Sequence, residues 1–251
     1  MAKLRAVVLA AGRGVRMGGN EPKTLLPLGD RQPLLYYILR GLKQAGIEDL
    51  MVVTGFKPQV VQEYVTEQWG EATFVFNARF ASWGNFHTLR LALDQSPGMD
   101  VMAVNSDIVV HPNVLKNVRE TPGDLVLAVQ QRYTLNEEDM RVKIDGNKVL
   151  AIGKHLPKRI SHGEFAGVSL LRPDGAAAYL EIASDLEWQA DTQGYYEDVF
   201  GKMLARVDAR EAQVGQDEYA EVDLPADVEQ AVRVIDRHPD AWGVPAQTTP
   251  S

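Results

Sequence analysis

Cysteine is absent from the sequence. Its absence excludes a disulfide framework, a cysteine zinc site and a thiolate nucleophile, although it leaves the redox compartment open. Long apolar runs are missing too: none approaches the roughly 20 residues that a membrane-spanning helix needs. The first residues also lack the apolar core and cleavage site of a secretory signal. We therefore expect no membrane partner and a cytoplasmic location.

An excess of positive charge is also missing. The 26 lysines and arginines are outnumbered by 34 aspartates and glutamates, which gives a formal net charge of -8. A nucleic-acid surface needs a broad basic face, so the charge balance excludes nucleic acid as a partner. An anionic small molecule would instead require a local cluster of cations.

The sequence does contain apolar strand-like runs that alternate with amphipathic helical patterns. Apolar residues make up 45% of the 251 positions, enough for one full core. The predicted strands cover residues 7–9, 50–53, 73–76, 101–104 and 125–129, and the predicted helices cover 33–45, 60–69, 86–93 and 112–119. This alternation indicates an α/β fold with a mostly parallel, Rossmann-like sheet between two layers of helices. Ligands of such sheets bind beyond the carboxyl ends of the strands, so we look for the site after Leu9, Val53, Phe76 and Val104.

The second half of the sequence has a different pattern. Residues 141–152 read as two strands around a tight turn at Gly146, which predicts a small antiparallel extension of the sheet. Further helices are predicted over 173–188, 195–205 and 225–236. With no linker in between, we expect a single domain over 1–238 and a flexible tail over 239–251.

A glycine-rich turn follows the first predicted strand, in the stretch VVLAAGRGVRMGGNEPKTLLPLGD. Its glycines at 12, 14 and 18 have the spacing G-x-G-x-x-x-G, which differs from the dinucleotide fingerprint G-x-G-x-x-G. Lys23 follows a proline rather than a glycine, so the stretch is not a Walker loop. A turn of this kind exposes backbone N–H groups that can hold phosphate, and Arg13, Arg16 and Lys23 add positive charge. The alternative is a solvated loop with scattered cations.

The segment LAAGRGVRM with the following PKTLLPL resembles the signature of nucleotidyltransferases with a GT-A-like Rossmann fold. These enzymes make nucleotide-activated metabolites from a nucleoside triphosphate and a phosphorylated acceptor. The resemblance implies that the glycine loop wraps the triphosphate and base, while Arg13 and Lys23 act as catalytic residues that stabilise phosphate charge. We expect nucleotide contacts from Leu9, Ala10, Ala11, Gly12, Arg13, Gly14, Lys23, Asn85 and Ser106.

Two further segments extend this resemblance to a metal site. NSD, at residues 105–107, matches the family's metal-binding aspartate at a strand end, and EVDLPADVEQA is similar to its late metal-binding segment. The resemblance implies that Asp107 and Asp223 bind Mg²⁺, which typically takes one or two protein carboxylates. Without the family, each aspartate has a structural alternative: Asp107 could cap a turn, and Asp223 could cap the last helix.

The region FNARFASWGNFHTLRLAL distinguishes branches of the family. It lacks the G-T/L-A-x-A helix start of sugar-1-phosphate members and resembles the phosphocholine cytidylyltransferase-like branch. This implies transfer of CMP from CTP to a small phosphorylated or phosphonate acceptor that is phosphocholine-like, an aminoalkylphosphonate or a polyol phosphate. Two alternatives stay open: a sugar-1-phosphate nucleotidyltransferase that makes an NDP-sugar, and a catalytically silent nucleotide-binding module.

The later matched segments also contain candidate acceptor contacts. Trp83 and Tyr196 offer aromatic faces, and Glu164 and Glu197 offer carboxylates, a combination that suits a choline or amino-alkyl cation. Lys154 corresponds to a family lysine that faces the acceptor phosphate. Core packing for the aromatic residues and solvation for the charged ones are the structural alternatives. The sequence leaves open whether the protein forms a homodimer.

Overall fold

The computed structural model describes residues 2–14 and 20–243. Eleven strands are formed: β1 (Leu4–Ala10), β2 (Asp49–Thr54), β3 (Thr73–Phe76), β4 (Asp100–Asn105), β5 (Ile108–Val110), β6 (Leu125–Gln131), β7 (Arg141–Asp145), β8 (Lys148–Ile152), β9 (Gly163–Leu171), β10 (Ala209–Val214) and β11 (Tyr219–Glu221). The helices are α1 (Leu34–Gln44), α2 (Pro58–Trp69), α3 (Phe86–Asp94), α4 (Pro112–Glu120), α5 (Pro173–Trp188), α6 (Tyr196–Met203) and α7 (Val228–Arg237). Every predicted strand and helix of the first half overlaps one of these elements.

Nine of the strands form one sheet in the order β3-β2-β1-β4-β9-β6-β10-β8-β7. The first four are parallel to one another, as the alternating pattern predicts. Apolar side chains of α1, α2 and α4 pack on one face of the sheet, and those of α3, α5 and α6 pack on the other. The predicted mixed α/β sheet between two helical layers is therefore confirmed.

Strand β9 was not predicted, and it changes the sheet. It lies antiparallel between β4 and β6, and all nine of its residues are buried. A strand covered on both faces shows no alternation of apolar and polar residues, so periodicity does not reveal it. The predicted hairpin is present as β7 and β8, where β7 pairs with the beginning of β9 and β8 pairs with β10.

Two short strands, β5 and β11, form a separate antiparallel ribbon that was also missed. Three-residue strands are too short to produce a periodic signal. The ribbon pairs Ile108 with Glu221, and the backbone N–H of Val222 donates to the carbonyl oxygen of Asp107 at 2.8 Å. It thereby brings the turn after β4 next to the segment after β11, across more than 100 residues of sequence.

Trp242 belongs to the segment predicted to be a flexible tail, yet it is packed. Its side chain is buried among residues of α1 and α7, and its carbonyl oxygen accepts a hydrogen bond from Arg40 at 2.9 Å. A large indole gains more by burial than it loses in chain entropy. The remaining predicted tail, 244–251, lies outside the described residues. In the part of the chain that is described, no helix is both long and apolar enough to cross a membrane.

Candidate active site

A cleft of about 450 Å³ opens at the carboxyl ends of β1 and β4. This is where the parallel sheet predicts a ligand site. All of the predicted nucleotide and metal residues except Arg13 line it: Leu9, Ala10, Ala11, Gly12, Gly14, Lys23, Asn85, Ser106, Asp107 and Asp223. Four further polar side chains share the lining, those of Thr24, Thr88, Asn105 and Tyr195, and none of them was predicted to contact the nucleotide.

The glycine turn brings Lys23 into this cleft. Gly14 has a φ of +59°, and a Cβ atom at this position would collide with the Cβ of Lys23. Only glycine meets both conditions, the left-handed backbone and the close approach. Pro22 precedes a short 3-10 turn over Lys23–Leu25, so the lysine begins a rigid turn and projects from a fixed backbone.

The ammonium group of Lys23 bridges two carboxylates that are far apart in the sequence. Its Nζ lies 3.2 Å from Asp107 Oδ2 and 2.5 Å from Asp223 Oδ1. Burial of the lysine opposes its charge, but the two aspartates outweigh this effect and raise the pKa of the ammonium. The lysine is therefore a fixed positive charge at the end of the cleft.

Glu221 is a third carboxylate in this cluster, and the sequence analysis did not single it out. Asp107, Glu221 and Asp223 each present an oxygen within 4.8 Å of the others. The side chain of Glu221 is exposed as a whole, but its carboxylate is surrounded by protein. The loss of water around the carboxylate, followed by the charges of Asp107 and Asp223, raises the pKa of Glu221 to about 8. The sequence EVD could have indicated Glu221 as a partner of Asp223, because residues two apart on an extended segment share a face.

Two details favour a cation site over helix or turn capping. The Oδ1 atom of Asp107 is buried and has no hydrogen-bond partner among residues 2–14 and 20–243, an arrangement that is costly for a carboxylate unless a ligand completes it. The N-cap residues of the last two helical segments are Leu224 and Asp227 rather than Asp223, and Oδ2 of Asp227 accepts from the backbone N–H groups of Asp223 and Leu224 at 2.9 and 2.7 Å. The capping alternative for Asp223 is thus wrong.

Arg13 is the predicted nucleotide contact that does not line the cleft. Its guanidinium group lies over the ring of Phe56, 5.4 Å from the ring centroid. Phe56 is held next to the glycine turn, because its backbone N–H donates to the carbonyl oxygen of Ala11 at 3.1 Å. The structure therefore brings Lys23 into the cleft but does not bring Arg13 there. Arg16, the third cation of the stretch, lies outside the described residues.

Charged residues predicted to contact the acceptor lie beyond the carboxylate cluster. Glu164, on β9, forms an ion pair with Arg132 at 2.7 Å, and it is close enough to Glu221 for its charge to raise the pKa of that residue. Burial raises the pKa of Glu164 itself to about 7, although Arg132 opposes the shift. Arg132 was missed because nothing in the sequence indicates that it faces β9.

Lys154 lies at the rim of the cleft rather than inside it. Its Nζ is 3.2 Å from Glu138 Oε2 and 5.6 Å from the ring centroid of Tyr195, which lines the cleft. The ion pair is solvent-exposed, so it holds the lysine only weakly. Lys154 is therefore available to an anionic group that approaches past Tyr195.

The predicted aromatic contacts are already occupied or buried. Arg79 covers Trp83 at 3.8 Å, and the indole stacks on Phe86 at 6.2 Å. Tyr196 is only 1% exposed, and Glu197 beside it is also buried, which raises the pKa of Glu197 to about 7. Neither side chain forms part of the cleft surface, so the structure does not bring these three residues together as an aromatic cage.

A larger and shallower depression, of about 1060 Å³, lies at the opposite, amino ends of β1, β2 and β3. It contains none of the predicted site residues. Its most buried charges are already matched, because Arg5 donates to Asp49 at 2.9 Å. The glycine turn, the lysine and the carboxylates all belong to the smaller cleft, which we take as the candidate active site.

Comparison with known proteins places this geometry in context. The CMP-5'-(3-aminopropyl)phosphonate synthase of Streptomyces rubellomurinus is 29% identical over 248 residues, which is 91% of this chain and 38% of that protein. The choline-phosphate cytidylyltransferase of Streptococcus pneumoniae is 31% identical over 117 residues, 45% of this chain and 49% of that protein. The chain thus spans less than half the length of either curated relative.

Solved structures share the fold over almost the whole chain. The inositol-1-phosphate CTP transferase from T. maritima superimposes with a TM-score of 0.79 at 22% identity, covering 94% of this chain and 98% of that one. The CTP:phosphocholine cytidylyltransferase from Streptococcus pneumoniae gives a TM-score of 0.72 at 23% identity, covering 91% and 97%. The family model described as a MobA-like NTP transferase domain matches residues 6–159. The chain belongs to this family of nucleotidyltransferase domains.

Proposed function

We propose that the protein is a CTP-dependent cytidylyltransferase that transfers CMP to a small phosphorylated or phosphonate acceptor and releases pyrophosphate. The observation that carries this proposal is the bridge from Lys23 to Asp107 and Asp223 at the end of a cleft walled by the glycine turn. A triphosphate needs such an arrangement, because charge moves onto the leaving pyrophosphate during transfer and must be stabilised there.

The choice of CTP is supported by the two curated relatives. One is named for synthesis of a CMP-linked phosphonate and the other for cytidylyl transfer to choline phosphate. The first of these matches runs through 91% of this chain. Because the chain covers less than half of each relative, the donor nucleotide is part of the proposal.

The residues of the cluster fit Mg²⁺. Asp107, Glu221 and Asp223 each present a carboxylate oxygen within 4.8 Å of the others, which is the type of ligand that Mg²⁺ prefers. Asp107, Glu221 and Asp223 would hold the ion, with the unpartnered Oδ1 of Asp107 as one ligand atom. When bound, Mg²⁺ supplies Lewis-acid stabilisation of phosphate charge.

The protein's own residues then need only to position the two substrates and to stabilise the charge on the phosphates. An anionic oxygen of the acceptor attacks the α-phosphorus of CTP in line with the bond to the leaving pyrophosphate; one P–O bond forms and one breaks. No general base is required, because the attacking oxygen carries no proton that must be removed. Lys23 stabilises the charge on the phosphates, and the backbone N–H groups of residues 10–14 orient the nucleotide.

For the acceptor, we propose a compound with an amino or quaternary ammonium group. The support is the buried carboxylate of Glu164 near Glu221, with Tyr195 at the edge of the cleft. The guanidinium group of Arg132 balances the charge of these two carboxylates only in part, so an ammonium group on the acceptor adds a favourable positive charge, whereas a polyol phosphate adds none. Lys154 lies on the same side, where it can attract the acceptor phosphate or phosphonate.

A coupled assay of pyrophosphate release tests both parts. CTP and Mg²⁺ are combined with phosphocholine, 2-aminoethylphosphonate, glycerol phosphate, inositol phosphate or hexose 1-phosphates, and the experiment is repeated with UTP, GTP and dTTP. We expect turnover with CTP and with the ammonium-bearing acceptors. Turnover only with hexose 1-phosphates would assign the protein to the NDP-sugar branch. Binding of CTP without pyrophosphate release for any acceptor would indicate a silent nucleotide-binding module.

A further inference from the structure

Tyr196 is buried, yet it makes hydrogen bonds to two polar side chains. Its backbone N–H donates to Oδ1 of Asn85 at 2.9 Å, and its side-chain hydroxyl donates to Oδ1 of Asn105 at 2.7 Å. Asn85 begins helix α3 and Asn105 ends strand β4, so the two amides come from different parts of the chain. Both amides line the cleft. One residue therefore contacts two side chains of the candidate active site.

These contacts determine which end of each amide is available to a ligand. A peptide N–H can only donate, so the side-chain oxygen of Asn85 must face Tyr196. The hydroxyl of Tyr196 could donate or accept, and here it donates to Oδ1 of Asn105. Each asparagine is left with its NH₂ group, which is a pure donor. Donors suit a nucleotide, whose phosphate, ribose and pyrimidine carbonyl oxygens are hydrogen-bond acceptors.

The surroundings of Tyr196 make it a rigid support. Its ring meets Phe165 and Phe200 edge to face, with centroid distances of 6.2 and 5.2 Å, inside the apolar core. Gly167, with φ +72°, supports Asn105 from another side, because a Cβ atom there would lie 3.1 Å from the Asn105 side chain. A side chain held by packing on several sides keeps its hydrogen-bond direction when a ligand binds.

The segment before Asn85 is also fixed to the segment before Tyr196. The backbone N–H of Gly84 donates to the carbonyl oxygen of Thr192 at 2.7 Å. A Cβ atom at Gly84 would collide with the carbonyl oxygen of Gly194. The segments before α3 and α6 thus approach closely enough that only glycine fits at position 84.

We propose that Tyr196 is a positioning residue for the nucleotide, which it serves by orienting the NH₂ groups of Asn85 and Asn105 into the cleft. This role replaces the acceptor contact predicted from the sequence, because the ring does not reach the cleft surface. The inference rests on the proposed function in one respect: it takes the ligand of the cleft to be a nucleoside triphosphate.

The test compares Tyr196→Phe with Tyr179→Phe. Tyr179 is a matched control, since it is fully buried in the same core and its hydroxyl also makes one hydrogen bond, to the carbonyl oxygen of Phe86 at 2.8 Å. Both variants lose one buried hydroxyl, so we expect similar losses of stability. Only Tyr196→Phe should raise the Kd for CTP with Mg²⁺ and lower kcat/KM, each by about tenfold or more, because a small displacement of a positioning group weakens binding and turnover. Equal kinetic effects in both variants, or none in Tyr196→Phe, would overturn the inference.

A second measurement decides the inference even if the protein turns over no triphosphate. The side-chain amide protons of Asn105 are followed by NMR in the ligand-free protein. We expect the order parameter of this side-chain amide to fall below about 0.6 in Tyr196→Phe, because its oxygen loses a fixed partner, and to stay unchanged in Tyr179→Phe. An unchanged order parameter in Tyr196→Phe would contradict the positioning role, whereas failure of the wild type to bind CTP would contradict only the proposed function.

If Tyr196→Phe does not fold, Asn105→Leu gives the answer instead. This variant keeps the tyrosine and the approximate volume of the side chain but removes the amide donor. We expect its Kd for CTP with Mg²⁺ to rise by about tenfold or more, the cost of losing a positioned donor. An affinity equal to that of the wild type would show that the oriented amide does not contact the nucleotide.

Discussion

The two sides of the cleft are built differently. The proposed donor side, formed by the glycine turn, Lys23 and the strand end at Asp107, relies on backbone geometry at the ends of parallel strands. The proposed acceptor side, around Glu164, Lys154 and Tyr195, relies on side chains from an antiparallel strand, a hairpin and a helix start. A phosphate site of backbone N–H groups depends on the course of the chain, whereas a site of side chains depends on which residues occupy a few positions. The cleft thus joins a half built on backbone geometry to a half built on side chains.

The largest expected effect is a difference in activity between variants of Lys23, on the donor side, and of Lys154, on the acceptor side. Lys23→Ala should lower kcat by roughly 10²-fold or more, because a preorganised charge in the cleft is lost. Lys154→Ala removes the same group from an exposed ion pair, so we expect only a few-fold rise in the KM for the acceptor. Steady-state kinetics of both variants measure this difference. Equal losses would show that the donor side does not hold the decisive charge.

The next effect concerns two neighbouring aspartates. Asp223→Asn should shift the Mg²⁺ dependence of the rate to higher concentration by about tenfold or more, since a carboxylate ligand is removed. Asp227→Asn is the control: it weakens the cap on the backbone of Asp223 and Leu224 and should cost about 1 kcal/mol of stability. Magnesium titrations together with thermal melts separate the two roles. An unchanged Mg²⁺ dependence in Asp223→Asn would remove this residue from the metal site.

A smaller effect is expected on the acceptor side. Glu164→Gln should raise the KM for an ammonium-bearing acceptor by about tenfold and leave the KM for CTP unchanged, because one buried charge partner is replaced by a neutral amide. Glu138→Gln serves as an exposed control that should change neither value by more than about twofold. A selective rise in the KM for CTP would mean that the two halves of the cleft are wrongly assigned.

A final effect concerns stability rather than activity and depends on pH. Burial raises the pKa of Glu197 to about 7, above its ordinary value of 4.5. Between these values the unfolded chain releases the proton while the folded protein retains it, so stability falls as pH rises, by at most about 1.4 kcal/mol per pH unit. In Glu197→Gln this pH dependence disappears. The free energy of unfolding of the variant, relative to that of the wild type, should therefore rise from pH 5 to pH 7 and level off above. Urea unfolding at four pH values measures the free energy of unfolding of both proteins. The same pH dependence in both would show that Glu197 ionises normally.

The donor side could be predicted from the sequence because its signals are local. The glycine turn, Lys23 and the end of β4 lie next to strands that apolar runs reveal, and the parallel order places them at one edge of the sheet. Arg13 shows the limit of this reasoning. A motif indicates which residues surround the phosphates, but not which side chain turns away to stack on Phe56.

The acceptor side could be predicted only in part because its signals are distant in sequence. The fully buried β9 has no readable period, and its position between β4 and β6 decides that Glu164 lies near Glu221. The ribbon of β5 and β11, three residues per strand, decides that Glu221 joins the carboxylate cluster. Tyr196 was expected to contact the acceptor because it is aromatic, but the direction of a side chain at a helix start follows from packing rather than from composition.

The central claim is that the acceptor attacks the α-phosphorus of CTP, and ³¹P NMR of one reaction mixture tests it most directly. CTP, Mg²⁺ and 2-aminoethylphosphonate labelled with ¹⁸O in the phosphonate group are incubated with the enzyme until the reaction is complete. We expect pyrophosphate and one CMP-linked product with ¹⁸O in the bridge between its two phosphorus atoms. Formation of CDP, or of orthophosphate with the label left in unreacted phosphonate, would contradict the account.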